Sequence, residues 1–190
     1  MEVKQLGDRI QVVGPSCSGK STLGEELARR LGSRFIELDA LFWRPGWTEP
    51  ADEEFAQAVL NETAAERWVA AGNYTRRTIP LYWRRLDTVV WLDFPERVVY
   101  PRILRRSWRR WRSKEHLWGT NYERFWGQLK IWDPAESLIG YGLRSRRHMR
   151  QRFLEAMTDP GLKHIRWVRL TSPAQVRGWL ATVPQPETSG

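Results

Sequence analysis

Lys20 and Ser21 close the run GPSCSGKS, which fits the spacing G-x-x-x-x-G-K-[ST] at Gly14, Gly19, Lys20 and Ser21. That spacing suits phosphate. Glycines let the backbone curl until successive N–H groups point at phosphate oxygens, and a following helix adds its positive N-terminal end. The lysine can reach β- and γ-phosphates, and the serine hydroxyl can ligate Mg²⁺. The expected ligands are ATP and Mg²⁺, held by Gly14, Ser18, Gly19, Lys20, Ser21 and Thr22, with Ser21 on the metal. Cys17, inside the loop, reads as a small neutral filler.

Moving a phosphoryl group asks for position and positive charge more than for covalent chemistry. Residues 97–114 supply eight basic side chains and no acidic one. On a helix, Arg102, Arg106 and Arg109 or Arg110 share one face, while Leu104, Trp108 and Trp111 form an apolar stripe on another. Pro101 marks a start or bend of that helix. Asp39, at the end of the strand read within RFIELDAL, can accept a hydroxyl proton, hold Mg²⁺ through water, or cap a turn. Asp93 can orient Mg²⁺ or cap the next helix. Phe42, Trp43, Trp47 and Tyr74 are either core or a wall on which a base stacks. His116, His148 and His164 lack ligand spacing for zinc.

The elements that must position these groups alternate. RIQVVG, RFIELDAL, RWVAAGNY, DTVVWLDFP and HIRWVRL read as five buried strands. Helical spacing covers STLGEELARRL, TEPADEEFAQAVLNETAAE, residues 96–115, a stretch ending near 157, and SPAQVRGWLATV. This alternation predicts an α/β fold of three layers around a five-stranded parallel sheet, of the P-loop NTPase kind. Residues 1–183 read as one domain with an Arg- and Trp-rich lid insertion at about 102–147, and residues 184–190 as a disordered tail. Twelve tryptophans imply that aromatic packing carries much of the core. One cysteine excludes an internal disulfide framework and suits a reducing compartment. The N-terminal residues contain no long apolar run, so a cytoplasmic chain with no membrane partner is expected, as monomer or homodimer. Net charge of +9 and a pI near 10.3 point to anionic partners. Nucleic acid is less favoured than small molecules, because no DNA-binding signature is present and a lid needs the same arginines.

In order, GPSCSGKST, LDALFWRPGW, WVAAGNYTRR, VVWLDFPERVVYPRILRRSWRRW and HIRWVRLTSPAQV resemble the adenylate-kinase-like group of small P-loop kinases. The chain is most similar to a bacterial subgroup labelled DNA topology modulation proteins or adenylate-kinase-related kinases. The resemblance implies a phosphotransferase that moves the γ-phosphoryl of ATP to a small acceptor, a nucleotide or nucleoside. Alternatives are a sugar or shikimate-type acceptor, or an ATP-binding regulator associated with nucleic acid. By the same resemblance Arg102 stacks on adenine and Arg106 points at the transferring phosphoryl group, with Lys20 and Asp39 completing the catalytic set. Gly72, Asn73, Tyr74 and Arg76 or Arg77 receive the acceptor together with Asp39 and Trp43, and Arg144 and Arg147 return from the lid. LTSPAQV would border the adenine. Adenylate kinases carry an Asp before the glycine of the third-strand motif, where this chain has Ala71. Metal help then falls to Asp39, Glu37 or Asp93.

Overall fold

An interior strand of a parallel sheet is buried on both faces, so its sequence runs apolar without strict alternation. Two runs do this here. TVVWL forms β4 (Thr88–Leu92) and WVAA forms β3 (Trp68–Ala71), each buried along its whole length. Between them lies β1 (Arg9–Val13), paired in parallel with both. β2 (Arg34–Glu37) and β5 (Arg166–Leu170) pair outside β3 and β4, giving the order β2-β3-β1-β4-β5. The computed structural model describes residues 6–114, Asn121 and 137–185. The five-stranded parallel sheet matches the expected architecture. Its growth reverses at β1, and ligands of open α/β sheets gather beyond strand carboxyl ends at such a reversal.

Helices cover both faces. On one, α1 (Lys20–Leu31), α5 (Glu96–Ser113) and α7 (Pro173–Ala181) pack on Ile10, Val12, Val90 and Leu92. On the other, α2 (Leu38–Phe42), α3 (Asp52–Glu62), α4 (Thr75–Tyr82) and most of α6 (Leu138–Thr158) pack on Val13, Trp68, Val89 and Trp91. α6 gives Ile139 to the first layer and Phe153 to the second, so it passes around the sheet's end. Trp68, Trp83 and Trp91 are fully buried and anchor the second layer. Among the described residues, no helix is long and apolar enough to cross a membrane.

Four sequence expectations are corrected here. RFIELDAL is not one strand: β2 stops at Glu37, and Leu38, Leu41 and Phe42 turn into α2. Their spacing is helical, but a short apolar run can be read either way. α4 was hidden by Pro80 in its interior, although Thr75, Thr78 and Tyr82 all face the core. α5 begins at Glu96, ahead of Pro101, and is continuous across it. Pro101 is exposed, so water can satisfy the Arg97 carbonyl that the proline leaves without a donor. The buried face of that helix is Val99, Ile103 and Ser107, whereas Trp108 and Trp111 are 44% and 42% exposed. Of the lid expectation, the part between residue 114 and residue 137 lies outside the described residues except for Asn121, as does the tail from 186.

Candidate active site

The loop after β1 is shaped by what a side chain could not tolerate. Gly14 has φ of 148°, and a Cβ there would lie 2.6 Å from the Leu92 carbonyl oxygen. Any other residue would be both strained and clashing. The loop then turns, with the Ser18 amide donating to the Pro15 carbonyl at 3.2 Å, and runs into α1. Lys20 folds back over it, its ammonium donating to the Pro15 carbonyl at 3.1 Å. Burial of the ammonium holds the Lys20 pKa below its ordinary value, against the pull of Asp39 and Glu37, and the Arg106 guanidinium lowers it further. Two cations kept together over one loop fit a bound polyanion. The Ser18 hydroxyl is buried without a hydrogen-bond partner among the described residues, which also suits a phosphate oxygen.

Beside the loop, the end of β2 and the start of α2 bring two carboxylates. Burial pushes the Glu37 carboxyl above its usual range, opposed by a hydrogen bond from Ser21. A serine hydroxyl and a carboxylate already in contact are hard oxygen donors, and they fit Mg²⁺, which keeps several of its waters. The Asp39 carboxylate accepts from the Tyr74 hydroxyl at 2.8 Å. Burial and the Asp39 charge raise the Tyr74 pKa far above its ordinary value, so the phenol stays a donor. Tyr74 packs on Phe42 and Phe55, with ring centroids 4.5 and 5.2 Å away. Trp43 meets Trp47 edge-on at 5.4 Å. Asn121 clasps this wall, its carboxamide accepting from the Trp47 amide and donating to the Arg44 carbonyl, both at 2.9 Å.

Arginines divide into two groups. Arg102 lies over the Phe94 ring at 5.5 Å and donates to the Ser18 carbonyl at 3.3 Å. It walls a cleft of about 680 Å³ with Thr22, Pro173, Val176 and Arg177. That cleft joins the phosphate loop to the segment where the adenine border was expected. Arg102, Arg106 and Arg110 are the half-buried arginines of α5, and Arg109 is exposed. On the acceptor side the expected roles shift. Arg77 donates to Asp52 at 2.8 Å and pairs with Glu49 at 3.3 Å, and it stacks over Phe42 at 4.9 Å. Arg76 is exposed. Arg144 and Arg147 also lie on the exposed side of α6, while Ser145 and Arg146 line a cavity with Pro15, Ser16, Asn73 and Tyr100. Arg146 is thus a residue that sequence reasoning missed, and a helix phase fixed from Ile139 and Phe153 would have found it. Asp93 is paired with Arg169 at 2.5 Å and with Arg150 at 3.7 Å. Two guanidiniums on one carboxylate argue against the metal role considered for it.

Gly72 has φ of 148°, and a Cβ would meet the Leu38 Cβ at 2.8 Å, so the backbone after β3 presses directly on α2. Asn73 turns away from the acceptor side. Its carboxamide accepts from the Gly14 amide at 2.9 Å and donates to the Gly14 carbonyl at 2.5 Å.

The family described as "AAA domain" matches residues 10–124, more than half of the chain, and the chain belongs to that family. Among curated proteins, it is 25% identical over 158 residues to the Bacillus subtilis (strain 168) protein named "Uncharacterized protein YqaC", covering 81% of this chain and 86% of the relative. It is 32% identical over 120 residues to a shikimate kinase of Synechococcus sp. (strain RCC307), covering 52% of this chain and 60% of that enzyme. Among solved structures, a gluconokinase from Sinorhizobium meliloti 1021 matches with a TM-score of 0.51 at 23% identity, over 95% of this chain and 93% of that one. A shikimate kinase from Acinetobacter baumannii in complex with shikimate gives 0.51 at 17%, over 93% and 90%. At these identities the two structures speak for the fold.

Proposed function

We propose that this P-loop kinase moves the γ-phosphoryl group of ATP to a hydroxyl of a small polyhydroxylated acceptor, of sugar or shikimate type. One observation carries the reading: Asp39, gripped by Tyr74, stands at the mouth of the loop, where its charge acts on the Lys20 ammonium. A carboxylate so placed can take the proton of an attacking hydroxyl. The acceptor oxygen bonds to the γ-phosphorus as the bond from that phosphorus to the β–γ bridging oxygen breaks, and ADP leaves with the electron pair. Lys20 and Arg106 stabilise the charge that spreads over the phosphoryl oxygens. Ser21 and Glu37 would hold Mg²⁺, which when bound would neutralise charge on the nucleotide's phosphates. Arg102 and Phe94 would take the adenine side.

Of Arg76 and Arg77, the two candidates for an acceptor phosphate, Arg77 is occupied by two carboxylates and a ring and Arg76 is exposed, which weakens the case for the nucleotide acceptor expected from sequence. The names of the relatives favour the alternative, a sugar or shikimate-type polyol. The test is ADP release from ATP and Mg²⁺ with a panel of sugars, sugar acids, cyclic polyols and nucleotides. Turnover with a polyol, absent in Lys20→Ala, is the expected result. No acceptor-dependent ADP above the Lys20→Ala level, or turnover confined to nucleotides, would sink the proposal.

A further inference from the structure

Asn73 looks like a ligand group by type, yet both edges of its carboxamide are spent on a single peptide. The Gly14 N–H donates to Oδ1 at 2.9 Å, and Nδ2 donates to the Gly14 carbonyl at 2.5 Å. Sheet pairing of β1 ends just before this point, at Val12 against Ala71 and Val13 against Trp91. Gly14 would otherwise enter the loop with both polar groups unsupported. The neighbouring residues complete a strut. The Gly72 carbonyl accepts from the Gln11 carboxamide at 2.9 Å, and Gln11 accepts from the Tyr82 hydroxyl at 2.6 Å. Gln11 and Tyr82 are each 1% exposed. An amide in the middle of a sheet is costly unless its polar atoms are matched, and here both are. The next residue, Tyr74, grips Asp39.

We propose that Asn73 is a positioning residue that locks the opening turn of the phosphate loop to the end of β3, so that one run of three residues sets the donor loop and the Asp39 carboxylate in a fixed relation. The second half of this statement rests on the proposed function. The first does not, and it is read by nucleotide binding alone. A carboxamide matches a peptide's donor and acceptor together, whereas an ionised carboxylate matches only the donor and repels the carbonyl. Calorimetry with Mg·ATP and no acceptor should show Asn73→Ala binding roughly tenfold more weakly. Asn73→Asp should lose more at about pH 8 and recover as pH falls towards about 5, because its acid form regains an O–H donor to the Gly14 carbonyl. A residue that merely supports the fold would show no such recovery, and the Ala variant should show none. Wild-type nucleotide affinity in Asn73→Ala would overturn the proposal. So would an Asp variant that acidification does not relieve, or unchanged nucleotide affinity with a raised acceptor KM. Should both variants fail to fold, the wild-type chain decides by hydrogen exchange without nucleotide: slow exchange of the Gly14 amide and the Asn73 carboxamide supports the lock, and free exchange of either overturns it.

Discussion

The two halves of the site handle charge in opposite ways. On the donor side the Arg106 guanidinium adds to the cost of the buried Lys20 charge, and the Ser18 hydroxyl is buried without a hydrogen-bond partner among the described residues. On the acceptor side two cations are already paired, Arg77 with Asp52 and Glu49 and Arg44 with Glu54, while Arg76 is exposed. The donor half gathers cations where a polyanion would bind, beside the carboxylates of Glu37 and Asp39. What the acceptor half offers is aromatic surface and one carboxylate. Recognition on the first side is electrostatic, and on the second it must come from shape and hydroxyl contacts.

Breaking the donor side should have the largest effect. Lys20→Met should lower turnover by about 10³-fold while raising the melting temperature of the nucleotide-free protein at neutral pH. The sign follows from linkage: a lysine whose folded pKa is depressed costs stability while charged, and that cost is relieved as pH rises towards the unfolded value. The gain in melting temperature should therefore shrink at alkaline pH. Asp39→Asn tests the acceptor carboxylate and should cost about 10²-fold in kcat, with Mg·ATP affinity kept within about threefold.

A third substitution pair sharpens the boundary between the halves. Arg146→Ala should reduce kcat/KM by about tenfold, and Arg147→Ala, one position further along α6, should leave it unchanged; steady-state kinetics on both decide which face of α6 matters. Glu37 gives a pH signature. Its carboxyl is raised by burial, so its contribution to stability is full below the ordinary carboxylate range and is lost as pH rises through the folded value. Melting curves of Glu37→Gln against wild type should shift in the variant's favour between about pH 4 and pH 7. Arg77→Ala should be the mildest, changing acceptor KM by less than about threefold and stability by less than about 1 kcal/mol, as its ion pairs are largely solvated. A large rise in acceptor KM there would restore the anionic acceptor and undo the contrast.

The same division explains what the sequence could reveal. Gly14, Gly19, Lys20 and Ser21 are legible because their function lies in the backbone path between one strand and one helix, which local spacing encodes. The sheet was legible for a similar reason, since continuous apolar runs such as TVVWL and WVAA can be buried on both faces. Asp39 was read as a group at the end of a strand, and it lies two residues beyond β2, in the first turn of α2, because the strand was drawn too long. Arg146 was not legible, since choosing among Arg144, Arg146 and Arg147 needs the phase of α6. The partners of Asp93 and Arg77, namely Arg169, Arg150, Asp52 and Glu49, were not legible, because they come from other elements brought together only by folding. Asn73 was placed with the acceptor by its position in GNYTRR, whereas its carboxamide bonds to the Gly14 peptide.

Asn121 carries a consequence for how the chain can be dissected. Its two hydrogen bonds join points 74 and 77 residues apart, between the connection that leaves α5 and the turn before α3. A deletion of the stretch between α5 and α6 would also unclasp the turn that carries Trp47. Any loss of activity in such a truncation would mix two causes, and Asn121→Ala in the intact chain is the control that separates them.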